Sequence, residues 1–162
     1  MLEGARRATL DDVGALDRLE RGVVDEQEDQ RGGKSWLLRE GLRRTSWPML
    51  FESADHLVLV GTIDDVVVGF AVAAVEVLAD ETRLVRIDNM FVEADARAVS
   101  VGEHLLGAVE VWAREVGAEA IDACALPGAR TTKNFFEGHG FSARLLVMHR
   151  RLDPSEEGSG AS

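Results

Sequence analysis

Residues 91–106 read Phe91-Val92-Glu93-Ala94-Asp95-Ala96-Arg97-Ala98-Val99-Ser100-Val101-Gly102-Glu103-His104-Leu105-Leu106, and this passage decides the fold. Apolar strand-forming residues give way to a short turn of polar and small residues and then to apolar positions at helical spacing, which predicts strand, turn and helix in succession. The first amides of such a helix have no acceptor within it and lie at the positive end of its dipole, where phosphate oxygens are attracted. Small side chains at Ala98, Ser100 and Gly102 let an anion approach the backbone, and Arg97 adds a charge-assisted contact. An ordinary strand-to-helix turn has the same outline, so the meaning of the passage depends on what surrounds it.

Toward the C-terminus, Val101, Leu105, Val109, Trp112 and Val116 recur at steps of four, four, three and four, one face of a helix that Gly117 ends. Toward the N-terminus, 82–92 predicts a strand with Val85, Ile87 and Phe91 on one side and Arg86, Asp88 and Met90 on the other. That polar row is unusual for a central strand. Before it, His56–Ile63 and Val66–Val77, rich in valine and separated by Asp64 and Asp65, predict a tight hairpin. Farther out, Thr9 and Asp12 give a capping-box-like start to a helix over 10–25, with Val13, Leu16, Leu19 and Val23 on its apolar face. A polar stretch over 26–33 follows, and a second helical pattern then opens at Ser35, runs through Trp36, Leu37, Leu38 and Leu42, and is closed from beyond by Pro48. Downstream, 118–126 predicts a buried strand, 129–138 a short helix and 141–151 a last strand, before a polar tail over 153–162 expected to be disordered. Hairpins need antiparallel neighbours and strand-helix-strand crossovers parallel ones, so the sheet is mixed.

The chain has 162 residues, enough for one domain, expected over 1–152, and too few for two ordinary ones. Its single cysteine, Cys124, allows no internal disulfide and no Cys-rich zinc site, and no metal is expected. Arg6 and Arg7 lead into a mixed stretch, not a signal peptide, and the apolar run over 66–75 falls well short of the ~20 residues of a membrane helix. A cytoplasmic protein without a membrane partner is the expectation. With 18 Lys and Arg against 29 Asp and Glu, the net charge of −11 argues against nucleic acid as the main partner and leaves cations open. There are six phenylalanines and three tryptophans, but no tyrosine.

The 91–106 passage resembles the acetyl-CoA segment of the GNAT superfamily of N-acetyltransferases, whose pattern is Gln or Arg, two residues, Gly, one residue, then Gly or Ala. Arg97, Ser100 and Gly102 hold the three defining positions, with Ser100 in place of the first glycine and Ala98 in place of a frequent extra one. The stretch 60–73, with Val68-Gly69-Phe70, resembles the family's central hairpin. Asn134-Phe135-Phe136-Glu137-Gly138-His139-Gly140-Phe141 resembles its late helix, and 9–19 its opening. The resemblance implies an α/β (α+β) fold with a mixed, mostly antiparallel central sheet of about six to seven strands flanked by about four helices. It also implies acetyl transfer from acetyl-CoA to an amine by direct attack on the thioester, with the pantetheine arm wedged between the fourth and fifth strands. Met90, Phe91 and Val92 would then line the arm, and amides of Arg97, Ala98, Val99, Ser100, Val101 and Gly102 would hold the pyrophosphate. Val92 or its neighbour would offer an N–H to the thioester oxygen. Dimers are common in the family, so a homodimer is compatible with the resemblance.

A lysine-like amine of pKa about 10.4 must lose its proton, roughly 4.6 kcal/mol at pH 7. Asp88 is the candidate base, at a position where the polyamine-acetylating branch carries a carboxylate; its other reading is a partner for Arg86. The leaving thiolate needs a proton too, which many members supply from a tyrosine where this chain has Phe136. A thiol near pKa 8.5 leaves unassisted for roughly 2 kcal/mol, so solvent suffices. Ser100, Cys124, His139 and His149 have plainer readings, Cys124 as core of a buried strand. Ala129 replaces an asparagine that contacts pantetheine, while Arg130 and Lys133 are either phosphate contacts or solvated charges. Asp25, Glu26, Glu28 and Asp29 either draw a cationic acceptor or form a hydrated loop, and Trp36, Trp47 and Phe51 wall a pocket or fill the core. The departures at Ser100, Ala129 and Phe136 keep a second function open, an acyl-CoA-binding or regulatory module without turnover. A third reading, the fold used purely for protein interaction, binds no CoA.

Overall fold

Residues 1–153 are described by a computed structural model. Strands β1 (Glu3–Arg7), β2 (His56–Ile63), β3 (Val66–Val77), β4 (Arg83–Val92) and β5 (Ala118–Ala123) lie side by side in chain order, antiparallel from β1 to β4 and parallel between β4 and β5. Helices α1 (Val13–Gln27), α2 (Gly33–Trp36) and α3 (Trp47–Glu52) precede β2, α4 (Val101–Glu115) crosses from β4 to β5, and α5 (Arg130–Gly138) follows. The mixed, mostly antiparallel class matches the sequence reading. Among the described residues five strands stand in place of six to seven, and five helices, two of them very short, in place of about four. The missing strand is 141–151, which forms no ladder among the described residues. Its apolar residues favour extended chain, but a strand exists only where a neighbour supplies its hydrogen bonds. The tail over 154–162 lies outside the described residues.

Pro48 begins α3 instead of closing the helix before it, because a first-turn residue needs no N–H. The preceding pattern ends as α2 and a π-turn at Leu37–Gly41. Asp64 and Asp65 take left-handed φ of 47° and 66°, as a two-residue hairpin turn demands, and the Asp64 carboxylate accepts the Leu2 N–H at 2.7 Å. Asp12, 5% exposed, accepts the Thr9 N–H at 2.8 Å and both ends of the Arg6 guanidinium at 2.7 and 2.9 Å. The Arg6 hydrogen bonds hold its carboxyl below the usual carboxylate range.

Two cores sandwich the sheet. On one face Val101, Leu105, Leu106, Val109 and Trp112 of α4 pack against Leu57, Leu59, Ala71, Ala73, Val85 and Ile87. Gly61 makes this approach possible, since a Cβ there would lie 2.5 Å from Val101 Cγ1. On the other face Leu16, Leu19 and Val23 of α1, with Leu37, Trp47 and Leu50, cover Val58, Val60, Phe70 and Val72. Trp47 packs edge-on to Phe70, and Trp36 and Phe51 join the same core.

Candidate active site

The site begins with a fault in β4. Its register against β3 steps from Ala73↔Ile87 to Val72↔Asn89, so Asp88 is an extra residue, a β-bulge. One added residue reverses the alternation beyond it. Val85 and Ile87 lie in the α4 core, but Phe91 joins the α1 core and Met90 and Val92 the α4 side. The strict alternation read from the sequence therefore holds only up to Asp88.

β4 also outruns β5. Their parallel ladder ends at Ile87↔Ala123, leaving 89–92, beyond the bulge, paired with β3 alone. Glu93 N–H bonds Val68 O across to β3 at 2.9 Å. Antiparallel alternation then turns the N–H and C=O of Phe91 toward β3 and those of Met90 and Val92 toward the open side. Arg97 Nε, which reaches Val92 O at 2.7 Å, marks that side.

Past Glu93 a 3-10 turn at Ala94–Ala96 absorbs the Arg97 amide through Ala94 O at 3.3 Å. The first bond into α4 is His104 N–H to Ser100 O, so the amides from Ala98 to Glu103 precede any helical acceptor. A Cβ on Gly102 would lie 3.2 Å from the Phe135 ring, which seats α5 beside this helix end. Arg97 does not point freely at the loop. Its guanidinium pairs with Glu26 of α1 and lies 5.4 Å from the Phe91 ring centroid. Arg18 of α1 likewise pairs with Glu93 and donates to Val67 O at 2.9 Å. The Asn89 amide donates to Gly41 O at 2.8 Å and ties the π-turn to β4. These cross-links join residues dozens of positions apart, and no local pattern announces them.

Asp88 Oδ1 accepts Arg86 Nε at 2.5 Å, and Arg86 also stands 3.5 Å from Glu76. The ion pair offered as the other reading of Asp88 is thus present. On β5, Asp122 pairs with Arg144 through both carboxylate oxygens. Cys124 lies beyond the end of β5 and is exposed, which corrects its assignment to a buried strand: β5 stops at Ala123. Partial desolvation, then the charges of Glu40, Asp122 and Asp88, push its thiol upward, so it is no ready nucleophile.

Phe136, 7% exposed, sits in the α4 core between Phe135 and Phe141. Arg130 is exposed at the start of α5, and Lys133 pairs with Glu137 one turn on. Of the acidic residues Asp25, Glu26, Glu28 and Asp29, the first two lie in the last turn of α1, and Glu26 is engaged by Arg97. His139 Nδ1 contacts Phe135 O at 2.7 Å at the helix end, and His149 is exposed. No described helix is long and apolar enough to cross a membrane, and no described group of three His, Cys, Asp or Glu residues is placed to hold a metal.

The sequence matches the acetyltransferase (GNAT) family over residues 22–141. Among solved structures, the aminoglycoside N-acetyltransferase AAC(6')-Iy in complex with CoA is 16% identical, with a TM-score of 0.72 over 93% of this chain and 95% of that one. A ribosomal-protein-alanine N-acetyltransferase from Brucella melitensis is 14% identical, with a TM-score of 0.69 over 94% and 100%. The BH1408 protein from Bacillus halodurans, as a tetramutant, is 18% identical, with a TM-score of 0.73 over 94% and 100%. No curated protein matches the chain.

Proposed function

This chain belongs to the acetyltransferase (GNAT) family, and from that membership we propose that it carries an acetyl group from acetyl-CoA to a primary amine of a small molecule or a protein. The observation that supports this reading best is the half-open strand: β4 continues past its last pairing with β5 and turns the polar backbone of Met90 and Val92 toward the gap, beside the start of α4. An extended, amide-bearing arm fits that edge as an added strand would. The amides of Ala98, Val99, Ser100, Val101 and Gly102 suit the pyrophosphate, with Arg97 exchanging Glu26 for it and Arg130 as an outer contact.

Acetyl-CoA supplies the activated acyl group when bound. The Val92 N–H is fixed at the open edge before any reaction and is the donor for the thioester oxygen. Asp88, held by Arg86 at the bulge, takes the acceptor's ammonium proton directly or through one water, and the freed lone pair attacks the thioester carbon. The thiolate departs to solvent without a phenolic acid, since the chain has no tyrosine. Asp88 and Asp122, with Glu76 and Glu40 nearby, favour a cationic acceptor; the carboxylates outnumber Arg86 and Arg144.

Calorimetry with acetyl-CoA, followed by free-thiol release over a panel of amines, tests the reading. Heat together with amine-dependent thiol release is expected. Heat without release under any amine would make the chain the acyl-CoA-binding module instead, and no heat at high ligand concentration would remove the cofactor altogether.

A further inference from the structure

We propose that Glu26 is a positioning residue for acetyl-CoA, a latch that holds Arg97 away from the pyrophosphate and releases it when the cofactor binds. The proposal rests on the acetyl-CoA reading above and adds to it a residue on another element, α1, that competes with the cofactor.

The latch follows from the way α1 docks. Arg18, Gly22 and Glu26 stand four residues apart on one stripe of α1 and meet Glu93, Phe91 and Arg97 in turn. Gly22 allows the approach, since a Cβ there would lie 3.0 Å from the Phe91 ring. The charges cross over: α1 offers a cation nearer its start and an anion nearer its end, and the junction between β4 and α4 offers the reverse. The two ends differ in what secures them. Arg18 also donates to Val67 O at 2.9 Å, which fastens it to β3, whereas the Glu26 carboxylate has Arg97 alone as its ion-pair partner among the described residues.

Glu26 has a physical reason to hold a cation. It lies in the last turn of α1, at the negative end of the helix dipole, with Asp25 beside it and no basic residue in that turn. Arg97 supplies the missing charge, and its donors are then committed. Its Nη2 goes to Glu26 and its Nε to Val92 O at 2.7 Å, so Nη1 is the nitrogen without a partner among the described residues. A two-pronged contact to a phosphate needs a second nitrogen. The end-on fork of Nη1 and Nη2 provides one, but Glu26 already draws on Nη2, and a carboxylate and a phosphate sharing one guanidinium repel each other. Exchange is easy, because the Arg97 and Glu26 side chains are 37% and 35% exposed and water and salt weaken such a pair. A pyrophosphate seated on the amides of 98–103 brings more negative charge than one carboxylate, so it takes Arg97 and frees Glu26.

Calorimetry with acetyl-CoA on the full chain and on Glu26→Gln, Arg97→Gln and the double variant tests this. Breaking a supporting contact lowers affinity, whereas breaking a latch raises it. Glu26→Gln is expected to bind acetyl-CoA about two- to fivefold tighter than the parent, the range of a surface ion pair. Arg97→Gln should bind more weakly, and adding Glu26→Gln to it should change nothing further, because the latch then has no arginine to hold. Equal or lower affinity in Glu26→Gln overturns the proposal and makes Glu26 a support that orients Arg97. A gain that persists in the Arg97→Gln background also overturns it, as the general effect of removing a negative charge near an anion. No heat from the parent chain at high ligand concentration would remove the acetyl-CoA reading and the latch with it, whereas the other two contrary results leave that reading standing.

Discussion

The two halves of β4 behave as different structures. Over 83–87 the strand is paired on both sides, with β3 and β5, and its inward residues Val85 and Ile87 are sealed under α4. Over 89–92, beyond the bulge, it keeps β3 alone, the alternation is reversed, and backbone groups turn toward open space. The difference arises from one inserted residue and one ladder that stops early. A central strand can thus be scaffold at one end and binding edge at the other, because the hydrogen bonds withheld from β5 remain available to a ligand.

Substitutions in the two halves should therefore fail in different ways. The largest effect is expected in the closed half: Ile87→Ala should cost about 2–5 kcal/mol in denaturant unfolding by leaving a cavity, while the acetyl-CoA affinity of the remaining folded protein stays near that of the parent chain. In the open half, Val92→Pro deletes an N–H that no β3 carbonyl uses. It should lower kcat on the order of 100-fold in a thiol-release assay with a much smaller change in unfolding free energy. Equal losses of stability in both variants would erase the distinction.

Asp88→Asn comes next, with kcat/KM down about tenfold and the deficit growing as pH falls, where less acceptor is free amine. An unchanged pH profile would leave Asp88 a structural partner of Arg86. The smallest effect lies far from β4. Asp12 has a folded-state pKa below its unfolded value, so its contribution is present above the ordinary carboxylate range near 3.9 and is lost as pH drops through the folded value. Asp12→Asn should lower stability by about 1–2 kcal/mol at neutral pH in chemical denaturation and flatten the acid limb of its pH dependence. A variant as stable as the parent at pH 7 would deny the ion pair with Arg6 that role.

The same contrast explains what the sequence reveals. The closed half and its α4 cover follow from local periods: Val101, Leu105, Val109 and Trp112 at helical steps, and Val85 and Ile87 two apart. The hairpin turn at Asp64 and Asp65 is equally local, because its backbone angles belong to those two residues. The polar row of Arg86 and Asp88 is legible on the strand, but the bulge at Asp88 is not, because it depends on how β3 takes up the extra residue. Glu26 with Arg97, and Asn89 with Gly41, are tertiary contacts without a local signature. The stretch over 141–151 shows the converse: its strand-like pattern is local, but among the described residues it forms no ladder, since pairing depends on a neighbour that the pattern does not specify.

The central claim is that the open half of β4 and the amides at the start of α4 together hold acetyl-CoA, and residue-resolved hydrogen exchange with and without CoA addresses it directly. Protection should appear at Met90, Val92 and 98–103, while Val85 and Ile87 show no change. Binding that protects none of these amides, or protects a different part of the molecule, would contradict the account.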